Sequence, residues 1–474
     1  MSLPSNLKTR QPRPWYKNTA PRSDLRPFAN SDGVTPALDL ESLHIAWILA
    51  DQTMAIDIET IRKRSNTILR QGKVYWGQPP QSDRWAEGVE TDVTTASAGF
   101  RRGHTQVGDA REAVAHLRDQ LHQPDLELVL FFCSPTYDLA VIGDAMAEAF
   151  PGVLTLGCTT AGEITPAGYL NGSLTGLSMA RGACHAESFP IEHLSNFTFT
   201  HGLDAVRAAM ARMTAAEGPD FASHTFAMLM IDGMSGAEDS VLSALHAGLG
   251  EIPLFGGSAG DNLAFNQTWI YQDGRFQNDI AVLVLVHTPF PFRVFKTQHF
   301  IGSDTKMVIT AADPLRRVVS EINAEPAARE FARMVGLDVE ELTPMIFATH
   351  PVVVRVGGAD YVRSIQKVNP DGSLSFFCAI DEGLVLSVAR AVDPYDNLAQ
   401  VFADIKAEIG PPQMIIGCEC VLRSLEMERT QMKQRMGDLL TANNVVGFNT
   451  YGEQFNAMHV NQTFTGVALG TVQR

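Results

Sequence analysis

The 474-residue chain is longer than one hydrophobic core usually organises, so two or three domains are expected. Its 37 basic and 53 acidic residues give a net charge of −16, which argues against nucleic acid or an anionic membrane as the main partner, because both bind clustered Lys and Arg. No run of about 18 apolar residues is present, and the N-terminus lacks the apolar core of a signal peptide. The sequence therefore predicts a cytoplasmic protein without a membrane span.

The N-terminal part differs in composition from the rest of the chain. Residues 1–37 contain six prolines, mostly basic charges and no apolar period, which predicts a disordered tail. Residues 38–95 begin with a helix-like run of Leu and Ile and end in polar, Pro-containing sequence. We expect a helical extension followed by a linker.

From about residue 96 onward, three segments share one plan. Each has an apolar strand, a helix, a second apolar strand and a Gly-rich corner that ends in an acid. The corners read GCTTAGE (157–163), GGSAGD (256–261) and GFNTYGE (447–453). The segment length suits a strand–helix–strand crossover, and strands that are apolar on both faces are typical of parallel sheets covered by helices. This pattern predicts an α/β fold of repeated βαβ units forming largely parallel, helix-covered sheets.

The first and third corners match more closely than the second. A shift of 290 residues, which lays Glu163 on Glu453, aligns 24 positions without a gap, and eight of them are identical. This match indicates an internal duplication with two pseudo-symmetric domains that face each other about a twofold axis. Between the repeats, residues 297–400 alternate in polarity and contain a PDGS turn, which predicts an antiparallel β patch. Within this patch, residues 313–336 look helical.

The three corner motifs, in this order and spacing, resemble the FIST family of intracellular signal-transduction domains. The resemblance implies a FIST N-terminal domain over 96–290, a FIST C-terminal domain over 291–474, and binding of a small ligand, with amino acids as one class. Chains built only of FIST domains also resemble bacterial haem proteins that sense nitric oxide. That likeness implies haem b as a cofactor, and a histidine kinase or a diguanylate cyclase or phosphodiesterase as the regulated partner.

The corners themselves suggest where a ligand binds. Their glycines allow close backbone approach, their carboxylates suit an ammonium group, and nearby hydroxyl and amide groups supply hydrogen bonds. The candidate ligand-binding residues are Thr160, Glu163, Asn171, Asp232, Asp261, Thr450, Glu453 and Asn461. The alternative interpretation is that the carboxylates cap neighbouring turns and the glycines only form the corners.

Two further chemistries are considered. His459 follows the last corner and is paired with Tyr169 by the duplication, which makes it the candidate ligand of a haem iron; without a Cys-x-x-Cys-His motif the haem would be non-covalent. The six cysteines lie far apart except for Cys418 and Cys420, so reduced thiols are expected. Cys158 and Cys420 end apolar strands and would be the nucleophiles of a thiol enzyme. With no partner histidine nearby in the sequence and no catalytic motif, a sensor is favoured over an enzyme.

Overall fold

The structure is a computed structural model, and it describes residues 99–314, 316–356 and 358–471. All of them belong to one compact unit of the chain. The disordered tail predicted for residues 1–37 and the helical extension predicted for residues 38–95 lie outside the described residues.

Short strands dominate the described chain. In chain order they are β1 (Phe100–Thr105), β2 (Leu126–Cys133), β3 (Leu154–Thr159), β4 (Glu163–Thr165), β5 (Gly168–Leu170), β6 (Leu174–Ala180), β7 (His185–Glu192), β8 (Thr225–Ile231), β9 (Leu254–Ser258), β10 (Ile270–Gln272), β11 (Arg275–Gln277), β12 (Ile280–His287), β13 (Phe292–Gln298), β14 (Phe300–Asp313), β15 (Val318–Ile322), β16 (Glu325–Pro326), β17 (Val352–Val356), β18 (Ala359–Arg363), β19 (Ile365–Val368), β20 (Leu374–Phe376), β21 (Val385–Ala391), β22 (Met414–Cys420), β23 (Val445–Thr450), β24 (Glu453–Phe455), β25 (Met458–Val460) and β26 (Thr463–Leu469).

Helices connect many of these strands. They are α1 (Ala110–Leu121), α2 (Leu139–Ala149), α3 (Phe199–Glu217), α4 (Glu238–Leu249), α5 (Ala327–Val335), α6 (Pro344–Thr349), α7 (Pro394–Ile409), α8 (Val421–Arg429) and α9 (Lys433–Ala442). Aspartate caps start several of them, because a carboxylate satisfies the free N–H groups of a first turn: Asp109 accepts from the Glu112 N–H at 2.9 Å, and Asp138 and Asp393 act likewise. The helices predicted after the first strand of each segment are confirmed as α2, α4 and the pair α8–α9.

Three six-stranded sheets place equivalent strands of the repeated segments in the same order. They run β1-β6-β2-β3-β10-β11, β7-β12-β8-β9-β24-β25 and β13-β26-β22-β23-β4-β5. Within the described residues only the pairs β2–β3, β8–β9 and β22–β23 are parallel; the first two each enclose one helix and the third encloses two. The other pairings are antiparallel, so the prediction of largely parallel sheets is wrong.

The strands are buried on both faces, as the prediction assumed, but helices cover only one face. The other face packs into a core that the three sheets share. On β2, Leu128, Leu130 and Phe132 point into a central core to which all three sheets contribute. There the rings of Phe132 and Phe448 stack with centroids 4.7 Å apart. The alternate residue Val129 packs instead against α1 and α2. A strand between a shared core and a helix layer is apolar throughout, whichever direction its neighbours run.

The hairpin that follows each corner leaves its own segment. The hairpin β4–β5 joins the third sheet, where Glu163 lies opposite Phe448. The hairpin β24–β25 joins the second sheet, where Glu453 lies opposite Gly257, and β10–β11 joins the first through β3. The exchange is cyclic and links three segments, so the predicted pair of facing, pseudo-symmetric βαβ halves is not confirmed.

Residues 300–391 form an eight-stranded sheet in the order β18-β17-β21-β14-β15-β20-β19, with β16 on β15. The strand pairings described in this sheet are all antiparallel, so the predicted β patch is confirmed. The helix predicted for residues 313–336 is confirmed only in its second half. Val319 and Ile322 place their branched side chains in the core of this sheet as part of β15, and only the second half forms α5. No described helix is long and apolar enough to cross a bilayer.

The close approach of β22 and β23 yields a stability prediction. Gly447 lies beside Gly417 in this parallel pair, and a Cβ atom at residue 447 would clash with the Gly417 carbonyl oxygen. We expect Gly447→Ala to destabilise the fold by about 1–3 kcal/mol, as overpacking does. Thermal melts would measure this, with Gly108→Ala as the control because a Cβ there has open space. Equal melting temperatures for the two variants would contradict the packing described.

Candidate ligand-binding site

The three corners meet, and backbone hydrogen bonds join every pair of them. Outside the strand pairings, two bonds connect each pair when Asn262, directly after the second corner, is included, so the corners form one junction. The bonds are Ala161 N–H to Asn449 O (3.0 Å), Asn449 N–H to Gly162 O (2.8 Å), Gly260 N–H to Thr159 O (3.0 Å), Asn262 N–H to Thr160 O (3.1 Å), Ser258 N–H to Gly452 O (2.8 Å) and Tyr451 N–H to Ser258 O (3.2 Å). Sequence reasoning grouped these corners by their common motif, and the structure brings them together.

Glu163 lies inside the junction and faces no solvent. Its carboxylate accepts hydrogen bonds from the Thr160 hydroxyl and from the backbone N–H (3.0 Å) and hydroxyl (2.7 Å) of Ser173. Burial raises the pKa of Glu163 to about 6, although these bonds oppose the shift. The carboxylate therefore fastens the start of β6 to the first corner.

Glu453 repeats this arrangement in the third corner. It accepts from the Thr450 hydroxyl and from the N–H (3.2 Å) and hydroxyl (2.6 Å) of Thr463. Burial raises its pKa further, to about 8. Because both corner glutamates are enclosed and bonded within the chain, their geometry favours a structural role over contact with an ammonium group.

Asp261, in the second corner, holds a loop. Its carboxylate accepts from the N–H groups of Phe265 (2.8 Å), Asn266 (2.8 Å) and Gln267 (2.9 Å), and from the Tyr451 hydroxyl of the third corner. This pattern is that of a carboxylate that orders a turn.

Asp232 follows β8 and acts in a similar way. It accepts from the N–H groups of Met234 (3.0 Å) and Asp279 (2.7 Å) and from the Thr268 hydroxyl. It therefore ties the end of β8 to the start of β12, and it takes no part in the six junction bonds given above.

The two candidate asparagines have opposite environments. Asn171 is exposed, whereas Asn461 is only 1% exposed. Neither the Oδ1 nor the Nδ2 atom of Asn461 has a hydrogen-bond partner among the described residues. Both Asn461 and the His459 ring lie against Gly452 of the third corner. Unpaired buried amides are costly, so this residue is the exception among the predicted site residues.

Asn461 belongs to a group of buried residues at the end of β18 and around β25, which we call the Asn461 cluster. Its members are all at least nine-tenths buried, and each carries a polar atom without a partner in the described chain. They are Arg363 (Nε), Ser364 (Oγ), His459 (Nδ1), Asn461 (Nδ2 and Oδ1) and Gln462 (Oε1). The Arg363 Nη1 atom donates to the His459 carbonyl at 3.3 Å, which connects β18 to the exchanged hairpin. Arg363, Ser364 and Gln462 were missed because no motif marks them and the first two lie almost 100 residues earlier in the chain.

Charged residues border the cluster on one side. Arg317 donates to Glu238 at 3.0 Å and to Asp239 at 3.1 Å, and all three act electrostatically on His459. Burial is the main effect on His459 and lowers its pKa, which favours a neutral imidazole. Arg317 also lines a cleft of about 540 Å³ on the antiparallel sheet.

The predicted haem site at His459 does not fit the geometry. A Cβ atom on Gly452 would lie 2.7 Å from the His459 Nε2 atom, so the coordinating edge of the ring packs against the third corner. Neither His459 nor any other member of the Asn461 cluster lines the clefts of about 200 and 540 Å³. We therefore derive no step through haem at this histidine. Among residues 99–471 as described, no group of three or more His, Cys, Asp or Glu side chains could hold a metal ion.

The candidate nucleophiles are deeply buried. Cys158 and Cys420 are free thiols, 0% and 1% exposed, and burial raises the pKa of both well above the usual value. A thiolate is the reactive form, so this environment disfavours nucleophilic use.

Comparison with known proteins identifies two domains. Residues 127–325 match the FIST N domain, and residues 327–456 match the FIST C domain. No curated protein matches the chain. The domain boundary predicted between residues 290 and 291 stays a prediction.

The buried glutamates predict how stability depends on pH. The folded state raises the Glu453 pKa from 4.5 to about 8, so the folded chain binds this proton more tightly than the unfolded chain. The resulting stabilisation is complete below pH 4.5 and is lost as the pH rises through about 8. We expect Glu453→Gln, which cannot ionise, to remove this loss in urea unfolding measured across the range.

Glu163→Gln is the matched control for that experiment. The Glu163 pKa is raised only to about 6, so the stabilisation that this group contributes should be lost at a lower pH than that of Glu453. Unfolding midpoints that depend on pH in the same way for wild type and both variants would contradict the burial of these carboxyl groups.

The cysteine environment predicts slow labelling. Iodoacetamide should leave Cys158 and Cys420 unmodified in the native protein and should label both after unfolding in urea, because only the unfolded state exposes the thiols. Mass spectrometry of the two samples measures this. Rapid labelling of either cysteine in the native protein would revive the thiol-enzyme hypothesis.

Proposed function

The chain belongs to the FIST family, and on that premise we propose that it is a signalling sensor whose small polar ligand binds at the Asn461 cluster. The observation that carries this proposal is the Asn461 side-chain amide, which is 1% exposed and finds no partner for either polar atom within residues 99–314, 316–356 and 358–471. Leaving a buried polar group unpaired costs roughly 1–3 kcal/mol. A ligand that supplied both a donor and an acceptor would recover that free energy.

The composition of the cluster indicates the kind of ligand. Arg363 and Ser364 offer donors, Gln462 offers an acceptor, and Asn461 offers both. A compact molecule with several hydrogen-bonding groups, such as an amino acid, matches this mixture better than an apolar one. The corner carboxylates are already bonded within the chain, so we assign the ligand to the cluster and not to Glu163, Asp261 or Glu453.

The position of the cluster suggests how binding could be signalled. Its members come from two places: the exchanged hairpin with the residues after it, and the end of β18 in the antiparallel sheet with the residue that follows. A ligand held by both would tie the second six-stranded sheet to the antiparallel sheet. A change in that connection is the event that a partner protein would detect.

The family resemblance also implies a particular ligand and a particular regulated partner. Nitric-oxide sensing through haem b ranks second, since the unpartnered His459 Nδ1 atom favours a ligand there while the packing of Nε2 on Gly452 opposes a haem. For the regulated partner we propose a histidine kinase or an enzyme that makes or degrades cyclic-di-GMP.

The duplication supplies a matched pair of variants for testing the proposal. A ligand at 100 times its dissociation constant should stabilise the fold by about 2.7 kcal/mol. In thermal melts against a panel of amino acids, we expect wild type and Asn171→Ala to respond and Asn461→Ala not to respond, because only the second asparagine is buried in the cluster.

Two outcomes would count against this proposal. One is an Asn461→Ala variant that retains the wild-type response to a stabilising amino acid. The other is a stoichiometric haem absorption band that shifts with nitric oxide when the purified chain is supplied with haem, which would favour the haem sensor instead.

A further inference from the structure

Arg363 is a buried cation without a counterion among the described residues. It is 7% exposed, and no carboxylate oxygen of the described chain lies within 4.0 Å of its guanidinium group. Its hydrogen bonds go to backbone carbonyls, those of Val362 and His459, each at 3.3 Å, and its Nε atom has no partner. Burying a charge in this state is unfavourable unless something else compensates for it.

Two other enclosed arginines are paired with carboxylates. Arg423, which is 1% exposed, lies 3.2 Å from the Glu419 carboxylate. Arg317 contacts both Glu238 and Asp239. In a chain with a net charge of −16, acidic partners are plentiful, so the missing partner of Arg363 is not explained by composition.

The acids closest to Arg363 along the chain and around His459 are engaged elsewhere. Asp360 accepts from the Gly302 N–H at 3.0 Å and lies 3.8 Å from Arg355. Glu238 and Asp239 are held by Arg317. These carboxylates are therefore committed to other partners.

A second cation reinforces the positive character of this region. The Lys296 ammonium group lies 4.6 Å from the centroid of the Tyr361 ring and donates to Gln298 at 3.0 Å. Tyr361 is on the same strand as Arg363. Among the described ion pairs none involves Lys296. Burial lowers its pKa to about 8; the charge of Asp360 opposes that shift, and the charge of Arg363 adds to it. An anion would be stabilised by both residues.

We infer that Arg363 binds the carboxylate of the ligand, and that the ligand is a small organic acid carrying a further hydrogen-bond donor. A carboxylate would accept from the Nε–H and so supply the counterion that the described part of the chain does not provide. The oxygen atoms of Asn461 and Gln462 call for a donor on the same molecule, and they would repel the several anionic oxygens of a phosphate. This inference rests on the function proposed above.

The first test needs no ligand. If Arg363 is maintained for binding, Arg363→Met removes an uncompensated charge and should raise the melting temperature of the purified, ligand-free chain by roughly 2–4 °C. Arg363→Lys keeps the charge and should give no such gain. Arg355→Met, on the neighbouring strand and 70% exposed at its side chain, is the control and should change little. A lower melting temperature for Arg363→Met than for Arg363→Lys would assign Arg363 a structural role and overturn the inference.

The second test uses acids and their uncharged amides as matched probes. Glycolate and lactate should raise the melting temperature of the wild-type chain more than glycolamide and lactamide do, and Arg363→Met should lose that difference. Equal responses to acids and amides, or an acid response that persists in Arg363→Met, would overturn the inference. A flat response to both acids would overturn it as well.

The two proposals fail in different ways. If amino acids or the amides stabilise the chain and Asn461→Ala abolishes the effect while Arg363→Met does not, the ligand site stands and the carboxylate contact falls. If Asn461→Ala and Asn171→Ala respond alike to every probe, the proposed site itself falls.

Discussion

Backbone hydrogen bonds join the three glycine-containing corners, and the course of the chain through all three six-stranded sheets depends on this junction. They fix the point at which each segment turns from its second strand into a hairpin, and they direct that hairpin into the next sheet. Glycine is required there because the corners approach closely: a Cβ atom on Gly260 would lie 2.7 Å from the Ala161 nitrogen. The shared central core, the cyclic exchange and the position of the Asn461 cluster all depend on this junction.

The same duplication has produced two different environments. In the first repeat the hairpin residue Tyr169 reaches across to the buried Glu419 and is satisfied by it. In the third repeat the equivalent position is His459, whose neighbours leave polar atoms unpaired. The antiparallel sheet makes the difference, because it brings Arg363 to the third hairpin. One repeat has thus kept a closed polar contact, while the other offers groups that a ligand could bind.

Sequence patterns predicted what depends on local order. The corner motifs grouped the residues of the junction, the strand–helix–strand segments were found, and the antiparallel patch was recognised from its alternation. Strand direction was not predictable, because β2 is apolar on both faces whichever way its neighbours run. The hairpin exchange was hidden as well, since pairing Glu163 with Phe448 is a long-range choice. Arg363 gave no signal because a missing counterion is visible only once all the acids have been placed.

The exchange of hairpins has a consequence for the modular view of this chain. Two domains can be read along the sequence, but β9 (Leu254–Ser258), in the first, obtains its edge partner from β24 (Glu453–Phe455), near the end of the second. Cutting between the two would leave β9 with open hydrogen-bonding groups, and an unpaired strand edge invites aggregation. Inheritance and recombination of this architecture are therefore constrained: the halves can be copied as separate stretches of sequence, yet they complete their sheets only together.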